Sequence, residues 1–486
     1  MNERIEELKP ARLWQFFLEI CKIPRPSRQE EKIIRYLLDF GREHGLETLT
    51  DEVQNVLIRK PATPGYENVK SVVLQSHIDM VCEKNADTVH DFAKDPILPF
   101  IEAGWVKAKG TTLGADDGIG IAAQLAVLET KDIPHGPIEC LFTVDEETGL
   151  SGAFGLKKGF LESSILLNLD SEDEGQLFIG CAGGKDTVVT FDLDTENVAP
   201  DSIAYKVSIT GLTGGHSGDD INKGLGNAVK ILNRFLWNST DRFFLRVSSI
   251  DAGNLRNAIA REGFAVITIP AKSGEAFEAY GRAFESMMQE ELKTTEKHLR
   301  FSVTPCDLPA SVLAPDLEFA LLNSLYACPH GVIEYSREIP DLVETSTNLA
   351  SVKFNTDKII ITTSQRSSVE SAKDDVCDMV SSTFRLTSAE IEHSDGYPGW
   401  KPDTGSEILK ITATSYESLF NEKPRVLAIH AGLECGLIGA LYPGMDMVSF
   451  GPTIKGAHSP DERLQIESVT KFWDLLVDVL GKIPRI

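Results

Sequence analysis

The chain has 486 residues, of which 42% are hydrophobic and 25% are charged. It is therefore too long for one compact core and has the composition of an ordinary globular protein, so two or three domains are expected. Its 48 basic and 73 acidic residues give a formal net charge of −25, which argues against nucleic acid or an acidic membrane as a partner.

Features of the termini and the cysteines predict a cytoplasmic location. The chain opens on an amphipathic, acidic segment instead of a secretory leader. No apolar run approaches the roughly 20 residues that a membrane-spanning helix needs. The eight cysteines are scattered without a CxxC pair, which favours reduced thiols.

Helices and strands alternate over the first part of the chain. Two helices are predicted over 10–48, followed by strand SVVLQS, helix GIGIAAQLAVLETK, strand IECLFTV, short helix GLSGAFGLKK and strand ILLNLD. Such alternation predicts an α/β layer with a mixed, largely parallel sheet flanked by helices. In such sheets, ligands gather at the carboxyl ends of the strands.

The pattern changes near residue 187. Strands such as TVVTFDL, YKVSITGL, FAVITIP and KIIITTS are separated by long helices, which indicates an α+β region. The α/β pattern returns after YPGWKPD. We therefore predict a catalytic domain of residues 1–186 plus 395–486, interrupted by an inserted domain of residues 187–394 with two similar halves as an open alternative.

Two histidines and three carboxylates stand at the ends of apolar runs or in tight turns. This set, which contains no cysteine, is typical of a hydrolytic site with two metal ions. Its members are His77 in SHIDM, Asp116 in LGADDG, Glu147 in TVDEE, Asp170 in LLNLD and His458 in KGAHSPDE.

The glycine-flanked turn that carries Asp116 suits a ligand shared by both ions. His77 and Asp170 would then complete one ion, and Glu147 and His458 the other. Zinc fits these ligands, and manganese or cobalt would fit as well.

Two further carboxylates have roles in this hypothesis. Glu146 would act as a general base that moves a proton from water to the leaving amine. Asp79, two residues after His77, would accept the free imidazole N–H and orient the ring.

Each motif alone has an ordinary explanation. HxD can be a surface turn, DEE a solvated loop, and GADDG a calcium-type or plain turn. Their occurrence together at strand ends is what favours catalysis, and HExxH, G-x-S-x-G, Walker A and G-x-G-x-x-G are absent. A non-catalytic binding protein or a metal-storage module would be the rival class.

The ordered strings HIDM, GADDG, DEETG, NLDSEDEG, GGHSG and GAHSPDE resemble a family of dinuclear zinc peptidases and deacylases. That family includes glutamate carboxypeptidase, acetylornithine deacetylase and peptidase T. Longer strings such as HAGLECGL and MVSFGPTIKGAHSPDE are most similar to members that cleave dipeptides ending in histidine. The resemblance runs from about residue 8 to the C-terminus.

The resemblance implies two zinc ions per subunit, the ligand division given above, and a cis peptide between Asp116 and Asp117. It also implies that the inserted domain is a lid over the substrate. His216 in GGHSG would polarise the scissile carbonyl, and Asn257 would lie near the same carbonyl. A turn histidine beside glycines is the alternative for His216.

Three other residues are candidates for substrate recognition. Arg366 in SQRSS is predicted to clamp the carboxylate of the dipeptide. Glu434 in HAGLECG, with the nearby His430, is predicted to line the pocket near the substrate amine. Helix capping or packing is the alternative for Glu434 and His430.

These observations predict a cytoplasmic dinuclear zinc dipeptidase acting on unblocked L-dipeptides, including Xaa-His and β-alanyl-histidine. A tripeptidase or an N-acyl-amino-acid deacylase on the same scaffold is the alternative. The expected partners are dipeptide substrates, with no nucleic acid and no membrane. The resemblance slightly favours a homodimer through the lid, and leaves open whether His216 serves its own site or the partner's.

Overall fold

The structure, a computed structural model, describes residues 4–486. The strands in chain order are β1 Glu47–Thr50, β2 Val56–Lys60, β3 Val72–His77, β4 Pro99–Glu102, β5 Trp105–Ala108, β6 Ile138–Thr143, β7 Ile165–Asn168, β8 Gln176–Cys181, β9 Gly183–Asp192, β10 Thr195–Asn197, β11 Ser202–Thr210, β12 Arg246–Gly253, β13 Gly263–Pro270, β14 Arg300–Cys306, β15 Ser311–Leu313, β16 Gly331–Tyr335, β17 Val343–Phe354, β18 Lys358–Ser367, β19 Glu390–His393, β20 Arg425–Ile429, β21 Asp446–Ser449, β22 Ile454–Lys455 and β23 Arg463–Gln465.

The α-helices in chain order are α1 Ala11–Cys21, α2 Glu31–Glu43, α3 Ala115–Glu129, α4 Ser151–Gly155, α5 Ala228–Phe243, α6 Gly274–Glu291, α7 Pro315–Ala327, α8 Glu370–Phe384, α9 Glu407–Phe420, α10 Glu434–Leu441 and α11 Ile466–Lys482. Among the residues that the structure describes, none of these helices has both the length and the apolar character needed to cross a membrane.

The chain divides into two compact units. The first contains the described residues up to Cys181, together with Trp400–Ala428 and Leu433–Ile486. The second contains Ala182–Gly399 and the short segment Ile429–Gly432. The boundaries predicted from the sequence lie five residues from Cys181/Ala182 and Gly399/Trp400, and the prediction left 429–432 in the catalytic domain.

The first unit is built on an eight-stranded mixed sheet in the order β1-β2-β6-β3-β7-β21-β8-β20. Its four central strands, β6, β3, β7 and β21, are parallel neighbours. Antiparallel pairs of β2 with β6 and of β8 with β21 flank them. Every residue of β3, β6 and β7 is buried, as expected for parallel strands covered on both faces. This confirms the predicted α/β class.

A second, small sheet in the first unit was not predicted. It has the order β22-β23-β5-β4, and β22 and β23 form a hairpin that pairs Lys455 with Arg463. The loop of this hairpin, 456–462, contains His458. Strand β23 also pairs with β5, which anchors the hairpin to the part of the chain that precedes α3.

The second unit has a nine-stranded sheet in the order β14-β11-β13-β12-β17-β18-β9-β19, with β16 paired to β17. Neighbouring strands in it run antiparallel. Helices α5, α6 and α8 pack on its strands and close an apolar core that includes Phe235, Phe277 and Phe301. The region is α+β, as predicted.

Candidate active site

Three of the predicted side chains follow neighbouring parallel strands. His77 ends β3, Glu147 follows β6, and Asp170 follows β7. The register pairs His77 with Thr143 and aligns β7 with β3, so the three chain segments leave the sheet at the same edge. This agrees with the expectation that functional groups gather at the carboxyl ends of parallel strands.

Asp116 lies between two histidines, and each of its oxygens faces a different ring. Asp116 Oδ1 is 2.9 Å from His77 Nε2, whereas Oδ2 is 3.1 Å from His458 Nε2. The peptide bond between Asp116 and Asp117 is cis, as the resemblance implied. Because one carboxylate presents one oxygen to each side, its geometry is that of a bridge between two groups of ligands.

Each side of this bridge has a third potential ligand. On one side, Asp170 Oδ1 is 3.5 Å from His77 Nε2, and on the other, Glu147 Oε2 is 3.1 Å from His458 Nε2. In both groups the potential ligand atoms lie within 4.8 Å of one another. Glu147 Oε1 is buried and has no hydrogen-bond partner. A buried carboxylate oxygen without a donor is costly, and a divalent cation would satisfy it.

The electrostatics of the cluster also suit cations. Hydrogen bonds to Asp116 and Glu147 raise the pKa of His458 to about 11. Burial opposes a positive charge on His77, but Asp170 and Asp116 outweigh it and raise the pKa of that imidazole well above its ordinary value. Both imidazoles thus sit in a strongly negative potential, in which a metal cation can take the place of a proton.

His458 adopts a backbone conformation that few residues tolerate. Its φ is 61°, in the left-handed region, and it lies in the loop between β22 and β23. Non-glycine residues in this region cost on the order of 1 kcal/mol and cluster at functional sites. The hairpin holds the loop at both ends, so the ring is aimed at Asp116 by the local fold.

Asp79 does more than the sequence predicted. Its Oδ1 is 3.2 Å from His77 Nδ1, the contact expected of a residue that orients the imidazole. The backbone N–H groups of Glu146 and Glu147 also donate to its carboxylate, at 3.0 and 3.2 Å, and Ser27 Oγ donates at 2.8 Å. Asp79 therefore fixes both the ring and the turn that carries the two glutamates.

Glu146 stands in an environment that suits proton transfer. Burial raises the pKa of its carboxyl well above the ordinary value, and the negative charges of Asp170 and Glu434 add to this while His77 opposes it. One of its oxygens belongs to a group with His77 and Glu147 within 4.8 Å. A carboxylate with a raised pKa beside a cation site is poised to accept a proton.

Glu434 begins α10 and is fully buried. Gln75 Nε2 and Thr143 Oγ1 donate to its Oε2 at 2.6 and 2.7 Å, so it contacts the carboxyl ends of β3 and β6. Its Oε1 has no partner, and burial raises the pKa of the carboxyl to about 7. The structure therefore places Glu434 at the same sheet edge as His77.

His216, Asn257 and Arg366 belong to the second unit and lie near one another there. The N–H of Ser217 donates to the carbonyl of Asn257 at 2.8 Å, and His216 forms an isolated β-bridge with Ala258. The N–H of Asp219 donates to His216 Nδ1 at 3.2 Å. A neutral ring that accepts at Nδ1 carries its proton on Nε2, which is then a donor.

Arg366 is a buried cation whose polar contacts are neutral. Its guanidinium donates to Tyr397 Oη at 2.9 Å and to Ser217 Oγ at 3.4 Å. Among residues 4–486 no carboxylate lies within 4 Å of it, and only 7% of Arg366 is exposed. Buried guanidinium groups are normally paired, so the group is suited to an anion supplied from outside.

His430 belongs to the short segment 429–432 of the second unit, which is distant in sequence from the rest of that unit. Its Nε2 is 2.7 Å from Ser346 Oγ, and burial lowers the pKa of the ring to about 3. The ring is therefore a neutral hydrogen-bonding group there.

Several residues that build these arrangements were missed from the sequence. Glu462 lies in the same GAHSPDE string as His458 but resembles a solvated acidic turn. Arg25 and Ser27 lie between two predicted helices, where nothing in the sequence indicates their contacts with the residues of the site. Tyr397 in YPGW lies near a predicted domain boundary, and the sequence indicates no further role for it. In the structure its ring packs against Gly184 and Gly432, where a Cβ would meet ring atoms at 2.7 and 2.9 Å.

The α/β sheet and the carboxylate–imidazole cluster at its edge are those of a metal-dependent hydrolase. Residues 73–482 match the sequence model described as Peptidase family M20/M25/M40. The chain belongs to this family.

Relatives match almost the whole chain. It is 45% identical over 480 residues to the cytosol non-specific dipeptidase of Escherichia coli strain K12, covering 99% of each protein. The crystal structure of aminoacylhistidine dipeptidase from Vibrio alginolyticus is similar with a TM-score of 0.93 at 46% identity, covering 100% of this chain and 99% of that one. The structure of aminopeptidase PepT from Bacillus cereus ATCC 10987, with a TM-score of 0.63 at 18% identity over 98% of this chain and 99% of that one, shares the fold.

The bridging geometry of Asp116 predicts a specific loss of metal. Asp116→Ala removes an oxygen from each group of ligands, so the bound metal should fall from the wild-type content to near none. The metal would be counted by mass spectrometry after gel filtration of the protein reconstituted with zinc. Asp461→Ala, which removes an exposed carboxylate three residues after His458, should keep the wild-type metal content. Retention of that content by Asp116→Ala would refute the bridge.

Proposed function

We propose that the chain is a dinuclear zinc dipeptidase acting on unblocked L-dipeptides, including Xaa-His and β-alanyl-histidine. The observation that carries this proposal is the pair of ligand groups on the two oxygens of Asp116. Support for the substrate comes from the identity of 45% and 46% to two dipeptidases that the chain matches along its length. The name of the Escherichia coli relative supports a cytoplasmic location.

The residues fit two divalent cations. His77 and Asp170 would hold one ion, Glu147 and His458 the other, and Asp116 would contact both. When bound, the ions supply Lewis acidity towards the substrate carbonyl and towards a water molecule. Zinc is proposed because imidazole and carboxylate ligands suit it, and manganese or cobalt can occupy the same set.

Glu146 carries the proton in this mechanism. Its carboxylate accepts a proton from the attacking water as the carbon–oxygen bond forms. It then donates that proton to the amide nitrogen as the carbon–nitrogen bond breaks, which releases the two amino acids of the dipeptide. The raised pKa of Glu146 suits both steps, because the group holds a proton between them.

The second unit is proposed to contribute to substrate recognition. His216, with its donor on Nε2, would stabilise negative charge on the carbonyl oxygen, and Asn257 would assist it. Arg366 would bind the carboxylate of the dipeptide. Glu434, whose Oε1 lacks a partner, would accept from the substrate amine. This division of roles, the action of the second unit as a lid and assembly as a homodimer remain predictions.

Hydrolysis of a small panel tests the function. The zinc-reconstituted protein would be given β-alanyl-histidine, glycyl-histidine, leucyl-glycine, a tripeptide and an N-acetyl amino acid, each with and without a chelator. We expect chelator-sensitive cleavage of the dipeptides alone. Cleavage of only the acetylated substrate would make the chain a deacylase, and cleavage of the tripeptide in preference to dipeptides would make it a tripeptidase.

The proton-transfer role predicts a selective loss of turnover. Glu146→Gln keeps the size of the side chain but cannot accept a proton, so kcat should fall by about 10²–10⁴. Because Glu146 is not one of the proposed ligands, zinc content and KM should stay near the wild-type values. Steady-state kinetics with metal analysis checks both. Full activity of Glu146→Gln would remove the base assignment, and a parallel loss of zinc would make Glu146 a ligand.

The carboxylate-binding role of Arg366 can be separated from a packing role. Wild-type kcat/KM should be much higher for glycyl-histidine than for its C-terminal amide. Arg366→Met should lose this preference, while the amide is cleaved at a nearly unchanged rate. Arg246→Met is the control, because Arg246 in the same unit is already paired with Glu196 and Glu318. Retained preference in Arg366→Met would contradict the assignment.

A further inference from the structure

A buried carboxylate holds the turn that carries Asp116. Four consecutive backbone N–H groups donate to Glu462: those of Leu113 and Gly114 to Oε2 at 2.6 and 2.9 Å, and those of Ala115 and Asp116 to Oε1 at 2.7 and 3.3 Å. Only 2% of Glu462 is exposed. Charge-assisted hydrogen bonds of this kind are roughly twice as strong as neutral ones.

Backbone dipoles compensate the charge of Glu462. Among residues 4–486 no lysine, arginine or histidine nitrogen lies within 4 Å of its carboxylate. The four N–H groups stand at the beginning of α3, where the helix leaves its first donors without partners. The carboxylate therefore has one evident function in the fold, which is to fix this turn.

A buried cation holds the other side of the same turn. Arg25 donates to the carbonyl of Gly114 at 2.5 Å, and to the carbonyls of Ile78 and Asp79 at 3.1 and 2.5 Å. Arg25 is 2% exposed and, in the described chain, has no carboxylate within 4 Å. Its planar fork thus joins the turn before Asp116 to the segment after His77.

The chain makes room for this guanidinium with glycine. A Cβ on Gly114 would lie 2.7 Å from Arg25 Nη2, and one on Gly118 would lie 2.8 Å from it. Gly114 also has a φ of 69°, which side chains other than glycine rarely adopt. The close approach of Arg25 is therefore built into the turn.

Glu462 and His458 belong to the same hairpin loop. His458 Nε2 lies 3.1 Å from Asp116 Oδ2, and the backbone N–H of Asp116 donates to Glu462. The loop thus contacts both the side chain and the backbone of Asp116. Arg25 connects Asp116 to His77 in a corresponding way on the other side.

We propose that Glu462 and Arg25 are positioning residues that set the metal affinity of the centre by fixing the orientation of Asp116 between His77 and His458. They act through Asp116 and touch neither ion. The inference rests on the metal centre proposed above. Removing a group that orients a metal ligand typically lowers metal affinity about 10–100-fold, and we expect an effect of that size here.

The test measures zinc affinity separately from folding. Glu462→Gln retains the shape of the side chain, but its NH₂ group faces N–H donors that need an acceptor. Arg25→Lys retains the charge but cannot reach three carbonyls with a planar fork. Zinc affinity of the full chain would be measured by competition with a chromophoric chelator, and the Tm of the metal-free protein would be recorded for each variant.

Glu139→Gln is the matched control. Glu139 is another buried carboxylate of the first unit, and it accepts from the backbone N–H groups of Glu162 and Ser163 at 2.9 and 2.8 Å. Glu139 is the second residue of β6, at the opposite end of that strand from Glu147. Its replacement should lower the metal-free Tm without changing zinc affinity.

We expect zinc affinity to fall by about 10-fold or more in both Glu462→Gln and Arg25→Lys, and the visible spectrum of the cobalt-substituted protein to change. Zinc affinity equal to wild type, with a lower Tm only, would overturn the proposal. Glu462→Asp, which keeps the charge and part of the contacts, should have intermediate affinity and serves if Glu462→Gln does not fold. Failure of the wild type to bind two zinc ions would overturn the proposed function itself, and this inference with it.

Discussion

The structure depends on one carboxylate that is shared by two imidazoles. Asp116 is held with an oxygen 2.9 Å from His77 and the other 3.1 Å from His458. Around it, Glu147 and Asp170 bring further negative charge into a partly enclosed space. Such charges repel one another and lose hydration, so they persist together only where cations compensate them. The protons on the two histidines can do this in the absence of metal, and two divalent ions would do it better.

The fold brings these groups together by two different routes. Parallel strands deliver His77, Glu147 and Asp170, because their carboxyl ends meet at one edge of the sheet. Asp116 and His458 come from a helix start and from a hairpin loop, which the sheet does not position. The hairpin of β22 and β23 holds the loop of His458 at both ends, and the backbone contacts of Glu462 and Arg25 hold the turn of Asp116.

The sequence was sufficient for the parts of the site that depend on local pattern. Apolar runs followed by His77 or Asp170 identify strand ends, and the alternation of helices and strands predicts the α/β class. A mixed sheet was predicted, but its strands β1, β2 and β8 and the small sheet with β22 and β23 were not, because short strands carry little periodicity of their own.

Contacts made to backbone groups were the least predictable. Glu462 binds N–H groups nearly 350 positions away in sequence, and a backbone N–H has no residue identity that a motif could reveal. Arg25 donates only to carbonyl groups, so no acidic partner marks it in the sequence. The segment 429–432 belongs to the second unit although its first residue, Ile429, ends β20 in the sheet of the first unit, which no compositional change signals.

Diffraction at the zinc absorption edge from crystals of the zinc-loaded protein tests the central claim most directly. The account predicts two anomalous peaks about 3.5–4 Å apart, one beside His77 and Asp170 and the other beside His458 and Glu147, with one oxygen of Asp116 directed at each. A single peak, or a second ion that Asp116 does not contact, would contradict it.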